Sequence, residues 1–132
     1  MTLAIDSSVL ICIFNDEPNR ADWLDFLLMS RHGGRLIACD VVWAELASLF
    51  ATPSALQEKM TKLGIGFSPL DHAACFEAGQ LFAGYRRRGG PRARIIADFM
   101  IAAHALHHAN ALASADLDLA EKYAPRLKVV GP

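Results

Sequence analysis

The sequence lacks most of what would mark a membrane, exported or nucleotide-binding protein. No apolar run approaches the ~20 residues that span a bilayer, and the first residues carry neither a basic flank nor an export-signal layout. The three cysteines, Cys12, Cys39 and Cys75, are odd in number and far apart. That spacing argues against a disulfide framework and a structural zinc site, and it fits reduced thiols in a cytoplasmic protein. No glycine-rich phosphate loop opens the first turn. Charge of one sign is also missing. Thirteen Lys and Arg against 14 Asp and Glu leave a formal net charge of −1, so any hold on nucleic acid has to come from a local basic patch. Repeats, low-complexity tracts and interior linkers are absent, which in 132 residues predicts one domain over residues 1–132.

Apolar residues, by contrast, are plentiful at 53% of the chain, and that excess points to surface committed to a partner or an oligomer. Leu3-Ala4-Ile5 reads as a buried strand ending on Asp6, Ser7 and Ser8. Ligands of open α/β sheets collect beyond the carboxyl ends of strands, so Asp6 is a candidate site residue there. It is equally well placed to cap the helix predicted over Ser7 to Phe14. Further elements follow in alternation: a helix from Arg20 to Ser30, a strand at Leu36–Cys39, a helix from Val41 to about Ala51, and another beginning at Thr52-Pro53 and stopping at Gly64. A short edge strand near Phe67–Leu70 precedes a long helix capped by Asp71. Arg86 to Arg92 then leaves that helix as a basic loop, and a helix spans Ala93 to Ala109. Leu112-Ala113 and Leu127–Val130 are the last strands, with a short helix to Tyr123 between them. Such alternation predicts an α/β fold with a mainly parallel sheet.

Three more acids stand in apolar settings. Glu45 lies on a helix with almost no polar face, Asp98 shares its face with Ile101, Ala102, Ala105 and Ala109, and Asp116 follows a strand. Each has a plainer reading: Glu45 as an exposed helix former, Asp98 as the i,i+4 ion-pair partner of Arg94. Carboxylates converging on one place repel unless a cation joins them. With oxygen donors and no organised Cys or His set, that cation would be Mg²⁺ or Mn²⁺, serving phosphoryl chemistry. His104 and His108 have metal-ligand spacing, but they lie off the Asp98 stripe and read as a packing or solvated face.

Asp6-Ser7-Ser8, Glu45 within Val-Val-Trp-Ala-Glu-Leu, Arg94-Ile-Ile-Ala-Asp98-Phe-Met-Ile-Ala-Ala-His-Ala and Ser114-Ala-Asp116 occur in that order, before a closing Tyr123-Ala-Pro-Arg-Leu-Lys-Val-Val-Gly-Pro. The ordered set, which covers nearly the whole chain, resembles the PIN-domain family, and within it the VapC-type toxin ribonuclease of VapBC toxin–antitoxin pairs. The resemblance implies a three-layer α/β/α fold with a short twisted sheet. It implies an acidic quartet, Asp6, Glu45, Asp98 and Asp116, holding Mg²⁺ or Mn²⁺ and hydrolysing RNA, with Ser7 and Ser114 in support. Asp118 is either an auxiliary ligand or the cap of the last helix. The resemblance also implies inhibition by a VapB-type antitoxin. Trp23, Phe26 and Leu27 then form either a groove for it or ordinary core. A homodimer in the cytoplasm, without a membrane, is the expected form. Arg86, Arg87, Arg88 and Arg92, close before Asp98, are read as guiding the RNA backbone. An aspartyl-phosphate phosphatase would want an acid two residues after Asp6, where Ser8 stands. The remaining alternative is a non-catalytic PIN scaffold that binds RNA or protein.

Overall fold

The apolar runs become a five-stranded sheet in which every pairing is parallel. The chain is seen here as a computed structural model that describes residues 1–91 and 94–132. The strands are β1 (Thr2–Ile5), β2 (Arg35–Cys39), β3 (Ile65–Ser68), β4 (Ala111–Ala113) and β5 (Val129–Val130). The helices are α1 (Ser7–Phe14), α2 (Arg20–His32), α3 (Asp40–Leu46), α4 (Pro53–Leu63), α5 (His72–Arg87), α6 (Ile96–His108) and α7 (Asp118–Tyr123). Strand order is β3-β2-β1-β4-β5. The chain therefore winds outward from β1 and returns to place β4 on the other side of β1. Right-handed crossovers put α1 to α4 on one face and α5 to α7 on the other. Packing agrees: α1 lies on α2 and α3, while α5 lies on α6 and α7. The result is the expected three-layer α/β/α arrangement.

Burial on both faces explains why the strands are continuous apolar runs with no alternation. Leu3, Ala4 and Ile5 are buried with Ile37, Ala38, Leu112 and Ala113, and Val9, Leu10, Leu46, Met60 and Phe99 fill the layers on either side. Caps act as the sequence suggests at two helices. The Thr52 hydroxyl accepts from the Ala55 N–H at 3.1 Å, and the Asp71 carboxylate accepts from the Ala74 N–H at 2.9 Å. Gly64 ends α4 with φ 75°, a left-handed turn open to glycine at no steric cost. That turn lets β3 begin at Ile65, two residues before its predicted start. The basic run differs from expectation as well. Arg86 and Arg87 continue α5, where cations favour the negative end of the helix dipole. Cys12 and Cys39 are buried, Cys75 is exposed, and all three are free. Among the described residues, no helix is long and apolar enough to cross a membrane.

His104 is the one fully buried histidine. It is 1% exposed on α6, with its Nε2 2.9 Å from the Ser68 hydroxyl at the end of β3. His108 lies one turn further on, 3.0 Å from an Asp71 oxygen. The pair therefore ties α6 to the β3 edge, a packing role in keeping with its position off the Asp98 stripe. Desolvation, helped by neighbouring His108 and opposed by Asp40 and Asp71, lowers the His104 pKa to about 4 from 6.5. The unfolded chain takes up this proton first, so the stability His104 contributes is complete above pH 6.5 and lost as pH falls toward 4. At about 1.4 kcal/mol per pKa unit the loss amounts to ~3 kcal/mol. Urea denaturation across that range should show this slope in the wild type and a flatter one in His104→Gln. Equal slopes would mean that folding leaves the proton affinity of His104 unchanged.

Candidate active site

The order β3-β2-β1-β4-β5 reverses between β1 and β4, so the crevice of the sheet opens beyond their carboxyl ends. Both strands deliver a polar group there. Asp6 follows β1, its backbone N–H donating to the Ala113 carbonyl at 2.9 Å. Ser114, buried at 4% exposure, follows β4. The Ser114 hydroxyl donates to Asp6 Oδ2 at 2.7 Å, and the Ser8 hydroxyl donates to the same oxygen at 2.9 Å. Asp6 occupies the N-cap position of α1, yet its side chain makes no cap hydrogen bond. Its carboxylate is turned to the crevice, which removes the simple capping role.

The other acids arrive from both layers. Asp98, in the first turn of α6, accepts the Ile95 N–H on Oδ2 at 3.0 Å. It is not the ion-pair partner of Arg94. That guanidinium reaches across to Asp116, which it grips with Nη1 on Oδ2 and with Nη2 on Oδ1, the latter at 3.0 Å. Nη2 also lies 3.4 Å from Asp118 Oδ2. Asp6, Asp98, Ser114 and Asp116 line one small cleft of about 20 Å³, room for about one water-sized particle. Glu45 comes from α3 on the opposite layer, and its Oε1 accepts the hydroxyl of buried Ser7 at 3.0 Å. Much of Glu45 faces solvent, contrary to the buried setting its helix suggested.

Electrostatics sets Glu45 and Asp116 apart. Desolvation of its carboxyl end raises the Glu45 pKa, the charges of Asp6 and Asp98 add to it, and the Ser7 hydrogen bond opposes it. Asp116 shifts the other way, lowered first by its hydrogen bonds from Arg94. Arg94 is raised by the same contact, with Asp98 contributing from further off. Partner counts agree. Among the described residues, Asp6 Oδ1, Asp98 Oδ1 and Glu45 Oε2 accept no hydrogen bond, whereas both Asp116 oxygens are occupied. No three His, Cys, Asp or Glu side chains of the described residues are yet close enough to share an ion. The donor chemistry of Asp6, Glu45 and Asp98, three carboxylates each with an open oxygen, nonetheless suits a hard divalent cation. Both Asp116 oxygens already accept from Arg94, whose charge competes with a cation for them.

A sequence model of the PIN domain matches residues 3–125. The chain belongs to the PIN-domain family. Solved structures share the PIN-like fold at low sequence identity. A chain of VapBC2 from Rickettsia felis, bound to a promoter DNA fragment, superposes with a TM-score of 0.76 at 18% identity, with 98% of each chain covered. FitAcB from Neisseria gonorrhoeae gives 0.66 at 22%, covering 98% of this chain and 97% of that one. VapC20 from Mycobacterium tuberculosis, a sarcin-ricin loop cleaving toxin, gives 0.65 at 14%, covering 98% and 99%. No curated protein sequence matches.

The remaining predicted residues are distributed less tightly around this PIN crevice. Trp23 and Leu27 are core, at 6% and 1% exposure, and only the partly buried Phe26 reaches the surface of α2. Exposed Leu28 and Met29 extend that surface, a correction to the trio read from sequence. Arg86 and Arg88 stand over the Phe82 and Tyr123 rings at 5.7 and 5.5 Å. They are exposed, as is Arg87; Arg92 lies outside the described residues. Asp118 pairs with Lys122 at 2.9 Å and opens α7. Sequence reasoning missed the grip of Ser8 on Asp6, although an acid with Ser two residues on is a known local pattern. It also missed the hold of Arg94 on Asp116, for which a separation of 22 residues offers no signal.

Glu45 supplies a test of this electrostatic picture. A carboxyl whose folded pKa is raised costs stability once pH exceeds its unfolded value of 4.5. In metal-free protein at pH 7, Glu45→Gln should therefore raise the melting temperature slightly, by less than about 1 kcal/mol equivalent, and the gain should vanish below pH 4. A loss at pH 7 would mean that Glu45 is held by a favourable charge.

Proposed function

We propose that this PIN domain is the toxin of a VapBC-type pair, an Mg²⁺- or Mn²⁺-dependent endoribonuclease silenced by a VapB-type antitoxin. The observation that carries the reading is the set of three open carboxylate oxygens around the β1–β4 crevice. When bound, a divalent cation supplies the Lewis acidity that phosphodiester hydrolysis needs. Asp6, Glu45 and Asp98 are the residues to hold it, and Asp116 joins them only in exchange for Arg94. The chain's own part is orientation. Ser8 and Ser114 hold Asp6 through Oδ2 and leave Oδ1 open. Ser7 holds Glu45 through Oε1 and leaves Oε2 open for the cation. Exposed Arg86, Arg87 and Arg88 add sequence-independent attraction for the phosphate backbone. Ser114 also borders an open groove of about 710 Å³ with Asn19, Asp22 and Trp23, which gives an RNA strand a way out of the site.

The antitoxin reading rests on the toxin–antitoxin complexes among the fold neighbours and on the apolar α2 surface. An antitoxin helix laid along Phe26 and Met29, which share a face of α2, would bury them and set a basic side chain against the acids. Cytoplasmic location and a homodimer belong to the same reading. A non-catalytic RNA- or protein-binding PIN scaffold is favoured by one observation, the closed Asp116–Arg94 pair, and the same assay separates the two. Purified protein should cut single-stranded RNA in Mn²⁺ or Mg²⁺. Asp98→Asn should still bind RNA while cutting it more slowly by about a hundredfold or more, as expected for loss of a metal ligand. Cleavage by Asp98→Asn at the wild-type rate would refute the nuclease assignment.

A further inference from the structure

The fourth acid differs from the other three, and the difference assigns a role to a residue outside the quartet. Both Asp116 oxygens are engaged by Arg94, and Oδ1 also lies 3.4 Å from the Leu119 N–H at the start of α7. The Asp116 backbone N–H donates to the Ser114 hydroxyl at 3.0 Å, the same hydroxyl that holds Asp6. Asp116 is thus fixed at backbone and side chain, and both of its oxygens already accept hydrogen bonds. Arg94 is fixed in turn. Asp116 and Asp118 hold its guanidinium, and its side chain is only 18% exposed. A guanidinium has five N–H donors. Three are directed at Asp116 and Asp118, which leaves the Nε–H and one Nη1–H without partners among the described residues.

We infer that Asp116 is a positioning residue for Arg94, and that the Arg94 guanidinium, held beside the Asp6–Asp98 cleft, receives a non-bridging oxygen of the RNA phosphate. The inference rests on the nuclease reading above. A planar fork fixed by a bidentate carboxylate keeps its geometry for an incoming phosphate, while a mobile lysine would not. The location fits: Arg94 lies two residues before α6, which carries Asp98, and within electrostatic reach of that acid. Its Nε–H and one Nη1–H, without partners among the described residues, are the donors a phosphate oxygen would meet. Asp118 and Lys122 extend the chain of charges outward, so Asp118 serves as an outer support of Arg94 rather than a metal ligand.

Two measurements on the full chain test this, neither requiring turnover. Mn²⁺ affinity, read by titration calorimetry, should fall more than tenfold in Asp98→Asn and stay within about threefold of wild type in Asp116→Asn, since only the former loses an open donor. Binding of a fluorescein-labelled single-stranded RNA of mixed sequence, read by anisotropy without divalent metal, should weaken in Arg94→Gln. Its log–log salt slope should drop by about 0.7, the value for one lost phosphate contact on a single strand. Arg94→Lys should restore the slope and not the full affinity, which excludes a merely structural effect. Equal loss of Mn²⁺ in Asp116→Asn and Asp98→Asn would make Asp116 a ligand and overturn the inference. An unchanged slope in Arg94→Gln would overturn it too, reducing Arg94 to a structural clasp. Wild-type protein that binds neither Mn²⁺ nor RNA would instead defeat the nuclease reading itself.

Discussion

Two hydroxyls on one carboxylate oxygen hold this site together. Ser8 and Ser114 both donate to Asp6 Oδ2, at 2.9 and 2.7 Å, and they come from opposite ends of the chain. Their meeting depends on β4 lying beside β1, which the outward-and-return winding of the sheet enforces. Because the hydroxyls satisfy Oδ2, Oδ1 is left without a hydrogen bond among the described residues.

The other acids follow the same rule in two versions. Ser7 satisfies one oxygen of Glu45, and the Ile95 N–H satisfies one of Asp98, so each retains an open oxygen. Asp116 is satisfied by an internal cation and retains none. Neutral donors therefore serve the three acids that keep an open oxygen, and a charged donor serves the one that keeps none. The opposite pKa shifts of Glu45 and Asp116 express this contrast in proton affinity. The three-layer architecture makes it possible. Glu45 stands on the α1–α4 face, Asp98 on the α5–α7 face and Asp6 on the sheet between them, so no single helix has to carry neighbouring like charges.

Much of this was legible in the chain. Apolar runs and their spacing located every strand and helix, because burial on both sheet faces and on one helix face imposes patterns that survive in one dimension. Asp6 and Ser114 were marked by their positions after strands. What escaped were interactions between distant segments. The Arg94–Asp116 pair joins residues 22 apart, and a local i,i+4 rule offered Asp98 in its place. Glu45 sat in an apolar stretch, yet α3 ends at Leu46 near the sheet margin and leaves the side chain exposed. Trp23 and Leu27 looked like a candidate partner surface, because an amphipathic pattern names a face without saying what covers it. In the fold the sheet covers them, and the exposed apolar side chains are the next ones along, Leu28 and Met29.

Asp6, Glu45 and Asp98 are proposed as the cation site, with Arg94 keeping Asp116 out of it. Crystals of the full chain grown with Mn²⁺, with anomalous data collected at the manganese edge, test this arrangement. One strong anomalous peak bounded by oxygens of Asp6, Asp98 and Glu45 is expected, with Arg94 still paired to Asp116. A peak coordinated by Asp116 with Arg94 displaced, or manganese bound only away from the β1–β4 crevice, would contradict it.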